Sequence, residues 1–149
     1  MYDSILLATD GTVASADATA HAIALAAEQD ATLHVLYVLD EDVYTAYSGD
    51  EYVDGAEGPE HGLEEQAAEA LDAVEADADA ADVPVVRAVE RGDPSNAIVD
   101  YADEHDVDLL VLGTRHRPDE YRALLGSVTD RVLRLTTRPA TVVKTEVDG

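Results

Sequence analysis

Cysteine, phenylalanine and tryptophan are absent from this 149-residue chain, and lysine occurs once, at Lys144. Without cysteine there is no disulfide and no thiolate chemistry. With its one lysine in what reads as the last strand, the chain has no phosphate loop of the Walker type. No run approaches the ~20 apolar residues of a membrane span, and no basic segment leading into an apolar one opens the chain. The expected location is therefore the cytoplasm, with no membrane partner. Positive charge is scarce throughout, nine Lys+Arg against 33 Asp+Glu, for a net charge of −24. Twenty-eight of the acids fall in residues 1–112, beside only Arg87 and Arg91. Such a surface repels phosphate backbones, so nucleic acid is not an expected partner.

What is present is an ordinary globular share of apolar residues, 46%, supplied by Ala, Val and Leu. At this length one domain spanning 1–149 is expected, burying roughly two-thirds of its unfolded surface. The acids are spread along the chain rather than gathered in a tail. Molar salt, with a Debye length of ~3 Å, relieves the self-repulsion of so much like charge. The composition resembles that of salt-accumulating microbes; a basic partner is the competing explanation.

Apolar strands alternate with helical stretches. Ser4–Thr9 reads as a buried strand closed by Asp10-Gly11, and 13–29 as an Ala-rich helix with Ala16, Ala20, Ile23, Ala24 and Ala27 at helical spacing, ended by Asp30. Thr32–Leu39 is a second strand. Residues 40–61 read as a long acidic loop with Tyr44, Tyr47 and Tyr52, of the kind that either carries function or moves. Residues 62–81 have strong helix propensity, and Val85–Val89 forms a third strand. Asp93 and Pro94 suit the cap and first turn of another helix. Asp108–Leu112 is strand four, after which Gly113 opens a loop. Ser127–Leu135 is an amphipathic helix, and Ala140–Lys144 strand five. The pattern predicts an α/β fold: a five-stranded parallel sheet with helices on both faces. Ligands then bind beyond the carboxyl ends of the strands, where strand order reverses.

Gly113 to Arg138 reverses the chain's charge, with Arg115, Arg117, Arg122, Arg131, Arg134 and Arg138 against Asp119, Glu120 and Asp130. Glycine after a strand lets backbone N–H groups approach an anion. The helix opening at Gly126-Ser127-Val128-Thr129 adds free N–H groups, a favourable dipole and two hydroxyls. Phosphate binding is one reading; arginines paired with nearby acids, and Ser127 as a plain helix cap, are the other. Asp10 is a candidate Mg²⁺ ligand or a turn residue. His21 and His34 read as structural, and His105 suits a helix C-terminus. His61 has no ligand spacing around it.

The opening "ILLATDGTVAS", the five alternating strands and the spacing of Gly113, Gly126 and Ser127 resemble the universal stress protein family over essentially the full length. Its ATP-binding branch carries G-x2-G-x9-G-[S/T]. The resemblance implies a Rossmann-like sheet in the order 3-2-1-4-5 and a homodimer through the last strand, here 140–145. It implies ATP, with Mg²⁺ on Asp10, held by Ala8, Thr9 and Asp10 after strand one and by Val38 at the end of strand two. The same resemblance places Gly113, Gly126, Ser127, Val128 and Thr129 in the nucleotide site, and Thr114, Arg115 and His116 between the two glycines are further candidate nucleotide contacts. The departure is His116, where the family's second glycine stands; its ring either closes the phosphate site or donates to it. Pro118, Asp119 and Glu120 also replace a usually small segment. No Ser-His-Asp set or positioned nucleophile is visible, so binding with at most slow ATP hydrolysis is expected. The alternatives are a nucleotide-free dimeric interaction module, working through its acidic surface or the 40–61 loop, and a nucleotide hydrolase or transferase.

Overall fold

A computed structural model describes residues 2–9, 13–40, 59–116 and 127–146. Their elements are β1 (Ser4–Ala8), α1 (Val13–Gln29), β2 (Thr32–Asp40), α2 (Pro59–Ala80), β3 (Val85–Gly92), α3 (Pro94–Glu104), β4 (Leu109–His116), α4 (Ser127–Leu135) and β5 (Ala140–Glu146). The five strands form one sheet in the order β3-β2-β1-β4-β5, with every pairing parallel. The expected architecture and strand order are both observed.

Side chains alternate across this sheet, and each face has its own core. Ile5, Leu7, Leu33, Val35, Leu109 and Val111 face α1 and α2, where Ala18, Ala22, Ala26, Leu71, Val74 and Ala78 meet them. Leu6, Leu36, Leu110 and Leu112 face α3 and α4, against Ile98, Tyr101, Ala102 and Val132. Because the central strands are apolar on both sides, their sequences run nearly continuously hydrophobic, as buried parallel strands must. The stripe expected on α1 is displaced. Ala16, Ala20, Ala24 and Ala27 are exposed, while Ala18, Ala22, Ile23 and Ala26 are buried. Alanines on every side of a helix leave its period without phase, and the tertiary contacts choose the face.

Three helices close by one device. Asp30, Asp82 and Asp106 adopt left-handed φ of 60°, 59° and 51°, a conformation usually given to glycine and otherwise best tolerated by Asn and Asp. The following residue donates its N–H back to the helix in each case: Ala31 to Ala26 O (2.9 Å), Val83 to Ala78 O (2.9 Å) and Val107 to Ala102 O (3.1 Å). All six of these partners are buried, which supplies the apolar contact that accompanies such a cap. The foreseen start of α3 is also observed: Asp93 accepts from the Asn96 N–H at 3.1 Å, with Pro94 in the first turn. Such a cap contributes about 1 kcal/mol.

Several boundaries differ from expectation. Asp40 belongs to β2 and residues 59–61 to α2; the rest of the acidic loop, with Tyr44, Tyr47 and Tyr52, lies outside the described residues. Strand β4 does not stop at Leu112 but continues to His116, because β5 runs on beside it from Val142 to Glu146. Gly113 therefore stands inside a strand rather than opening a loop. On the outer strand β3, Arg87 reaches α2 at Asp72 (2.7 Å) and Glu75 (2.9 Å), and Arg91 pairs with Glu64. Half of each pair is solvent-exposed, so each adds under about 1 kcal/mol.

Candidate functional site

Order reverses at β1, which has β2 on one side and β4 on the other. The β1–β4 ladder runs Ile5↔Leu109, Leu6↔Leu110 and Leu7↔Val111. Two residues further on, Thr9 and Gly113 leave that ladder together. Strand β1 ends at Ala8, yet β4 continues for four residues past Leu112, held from its other side by Gly113↔Val143, Thr114↔Lys144, Arg115↔Thr145 and His116↔Glu146. Among the described residues, the β1-facing edge of Gly113–His116 has no strand partner. Its backbone groups border the crevice expected at a topological switch point.

Helix α4 opens on the same crevice. The first N–H groups of a helix have no intrahelical acceptor, so Ser127, Val128 and Thr129 present donors there. Thr129 is buried, and its Oγ1 donates to the Gly113 carbonyl oxygen at 3.3 Å. That bond fixes the helix start against the strand. It also commits the hydroxyl proton of Thr129, leaving its backbone N–H as the donor it offers. Val128 is exposed and Val132, one turn on, is fully buried. Across the sheet, the Thr9 N–H donates to Leu36 O at 3.0 Å, which seats Thr9 beside β2. Ala8 and Val38 are partly buried on the α3/α4 core, with Val38 two residues beyond Leu36 toward the carboxyl end.

The structure thus sets Thr129 against Gly113, and places Ala8, Thr9 and Val38 at the carboxyl ends of the neighbouring strands β1 and β2. Asp10 and Gly126 lie outside the described residues, as do Arg117 and Arg122 and the side chains of Arg115, His116 and Ser127. Among the described residues no group of acids and histidines is placed to hold a metal ion.

Two of the arginines counted toward an anion site belong elsewhere. Arg138 sits at the opposite end of β4, where its guanidinium donates to Asp103 (3.0 Å), Asp106 (3.2 Å) and the Val107 carbonyl (2.7 Å). Its hydrogen bonds to Asp103 and Asp106 push its pKa further up, so it is a permanent cation. Arg134 pairs one turn back with Asp130 at 3.0 Å. For these two the pairing alternative holds; sequence proximity hid that Arg138 lies a strand's length away.

The histidines also sort themselves. His21 is exposed on α1. His34 and His105, unrelated in sequence, meet around Tyr101: the His34 Nδ1 lies 2.9 Å from the Tyr101 hydroxyl, and the His105 ring stacks on Tyr101 at 3.9 Å. No spacing rule in the sequence announces this cluster.

A family model described as Universal stress protein family matches residues 1–144. Universal stress protein MJ0531 of Methanocaldococcus jannaschii is 34% identical over 148 residues, covering 97% of this chain and 83% of that one. Universal stress protein YxiE of Bacillus subtilis is 33% identical over 153 residues, covering 97% and 100%. The solved structure of MJ0577 from M. jannaschii superposes with a TM-score of 0.80 at 26% identity, covering 97% of this chain and 96% of that one. Solved universal stress proteins in complex with cAMP, and from Archaeoglobus fulgidus with dAMP, share the fold at TM-scores of 0.61 and 0.68. Their identities are 23% and 19%, with 96% of this chain and 97% and 98% of theirs covered. Among the described residues, no helix is long and apolar enough to cross a membrane.

Proposed function

The chain belongs to the universal stress protein family, and on that footing we propose that it binds ATP in the crevice between β1 and β4. The observation that carries this reading is the outrun of β4 past β1, beside a helix start tethered to it by Thr129 and Gly113. A strand edge that has no strand partner among the described residues, beside a helix N-terminus, forms a donor set suited to phosphate. Relatives in complex with cAMP and dAMP support a nucleotide as the ligand class.

In this reading Gly113 and Gly126 frame the phosphates, and the N–H groups of Ser127, Val128 and Thr129 hold them. Thr114, Arg115 and His116 flank the triphosphate, Ala8 and Thr9 border the ribose, and Val38 offers backbone contacts to the base. Asp10 shares a Mg²⁺ ion with the phosphates, as a hard carboxylate oxygen does. The single domain acts in the cytoplasm as a sensor that binds without appreciable turnover. Strand β5 is the last of the sheet, and its outer edge pairs with the same edge of a second copy.

Calorimetric titration with ATP in molar KCl, with and without Mg²⁺, tests the proposal. Saturable binding of one ATP per chain is expected. Absence of heat up to millimolar ATP, with no nucleotide co-purifying by mass spectrometry, would sink it in favour of a nucleotide-free interaction module.

A further inference from the structure

Away from the crevice, on the α3/α4 face, three rings from two elements form one stack. His34 of β2 and His105, which caps the C-terminus of α3, have ring centroids 5.5 Å apart. Tyr101 completes the triangle, edge-on to His34 and stacked on His105. Tyr101 is only 3% exposed. The direction of the bond between His34 Nδ1 and the Tyr101 hydroxyl follows the His34 tautomer; where Nδ1 carries no proton, the hydroxyl donates to it. A proton on Nδ1 makes that nitrogen a donor, so the bond must reverse and the buried hydroxyl proton loses its acceptor.

The surroundings do not offset this. Beside His34 in the sheet are Leu6 of β1 and Val86 of β3, neither ionisable. The nearest acid of β3 on this face is Glu90, which lines a groove with Asp100, Tyr101 and Glu104. Asp103 and Asp106, in the last turn of α3 and just beyond it, are held by Arg138. No carboxylate among the described residues hydrogen-bonds His34. Burial first, and the charge on His105 second, hold the His34 imidazole below its ordinary pKa of 6.5.

We propose that the His34–Tyr101–His105 cluster is an acid-released latch, which clamps the end of α3 to β2 while the His34 imidazole is neutral and lets it go when that imidazole is charged. The sign follows from linkage. A histidine kept neutral by folding contributes stability that is present above pH 6.5 and is lost as pH falls below it. The loss is local, since the start of α3 keeps its Asp93 cap and the rest of the sheet is untouched.

Amide hydrogen exchange of Tyr101–Val107, corrected for intrinsic rates, tests the latch in molar KCl between roughly pH 7.5 and 5.5. Protection is expected to fall about tenfold in that window, while β1 and β4 hold steady. His34→Gln, whose amide oxygen still accepts from Tyr101 but does not titrate, should flatten the dependence. In the unmodified protein, the midpoint of the His34 NMR titration should lie below the ordinary histidine value of 6.5. A His34 midpoint at or above 6.5, or the same loss of protection in His34→Gln, would overturn the proposal. The wild-type titration decides the matter even if the variant folds poorly.

Discussion

At its N-terminal end β4 emerges from a web of internal bonds. The Asp108 carboxylate accepts from the N–H groups of Asp3 (2.8 Å) and Ser4 (3.0 Å), and the Asp108 N–H donates to Ser4 O at 2.8 Å. Arg138 joins Asp103, Asp106 and the Val107 carbonyl alongside. At its C-terminal end the same strand runs past β1, and the bond recorded there between α4 and the strand is Thr129 to Gly113. One end uses charge to close the structure. The other leaves backbone donors facing a crevice. Polar groups satisfied from within serve stability, whereas donors held in place but unpaired serve a ligand. A scarce arginine is therefore no guide to function until its partners are known.

This contrast predicts that variants at the two ends dissociate. The largest effect is expected from Gly126→Asp, which sets a carboxylate among the proposed phosphates. ATP affinity should fall about a hundredfold, near 2.8 kcal/mol, with thermal stability unchanged; calorimetry beside a melting curve reads both. Arg138→Ala should do the reverse. Removing one guanidinium from two carboxylates and a carbonyl should lower stability by about 1–2 kcal/mol, measured by denaturant unfolding, with ATP affinity intact. Weaker binding in that variant would mean that the two ends are not separate.

Thr129→Val is the one substitution that should register at both ends. It keeps the buried shape but loses the bond to Gly113, at about 1 kcal/mol of stability, and frees the helix start to shift, weakening ATP several-fold. The smallest effect belongs to Arg134→Ala. Its exposed pair with Asp130, one turn away on the helix, contributes about 0.3–0.5 kcal/mol and less still in molar salt. A change in ATP affinity there would return Arg134 to the anion site from which its pairing removes it.

How far the sequence could be read follows the same division. Strands β1, β2 and β5, the N-cap of α3 and the full extent of α4 were legible, since apolar runs and capping residues act locally. The buried face of α1 was not, because alanine marks no side and packing against β4 and β5 decides it. The extension of β4 through Gly113 was hidden for a related reason: "GTRH" has no strand pattern of its own and is held by β5. The Asp-based helix ends were half visible, Asp30 read as a stop but not as a left-handed cap. At the site, the spacing of Gly113, Gly126 and Ser127 indicated the family, while the bond from Thr129 to Gly113 needed coordinates. Arg138 and the meeting of His34 with Tyr101 and His105 lay beyond reach altogether: Arg138 meets residues 31 to 35 positions away, and His34 meets rings 67 and 71 positions away.

Backbone amide shifts during titration with ATP and Mg²⁺ in molar KCl test the central claim most directly, because they report both ends of β4 at once. The account predicts saturable shifts centred on Ala8–Asp10, Val38, Gly113–His116 and Gly126–Thr129, with Asp103–Asp108 silent. Shifts centred on Asp103–Asp108, or spread evenly over the sheet, would contradict it.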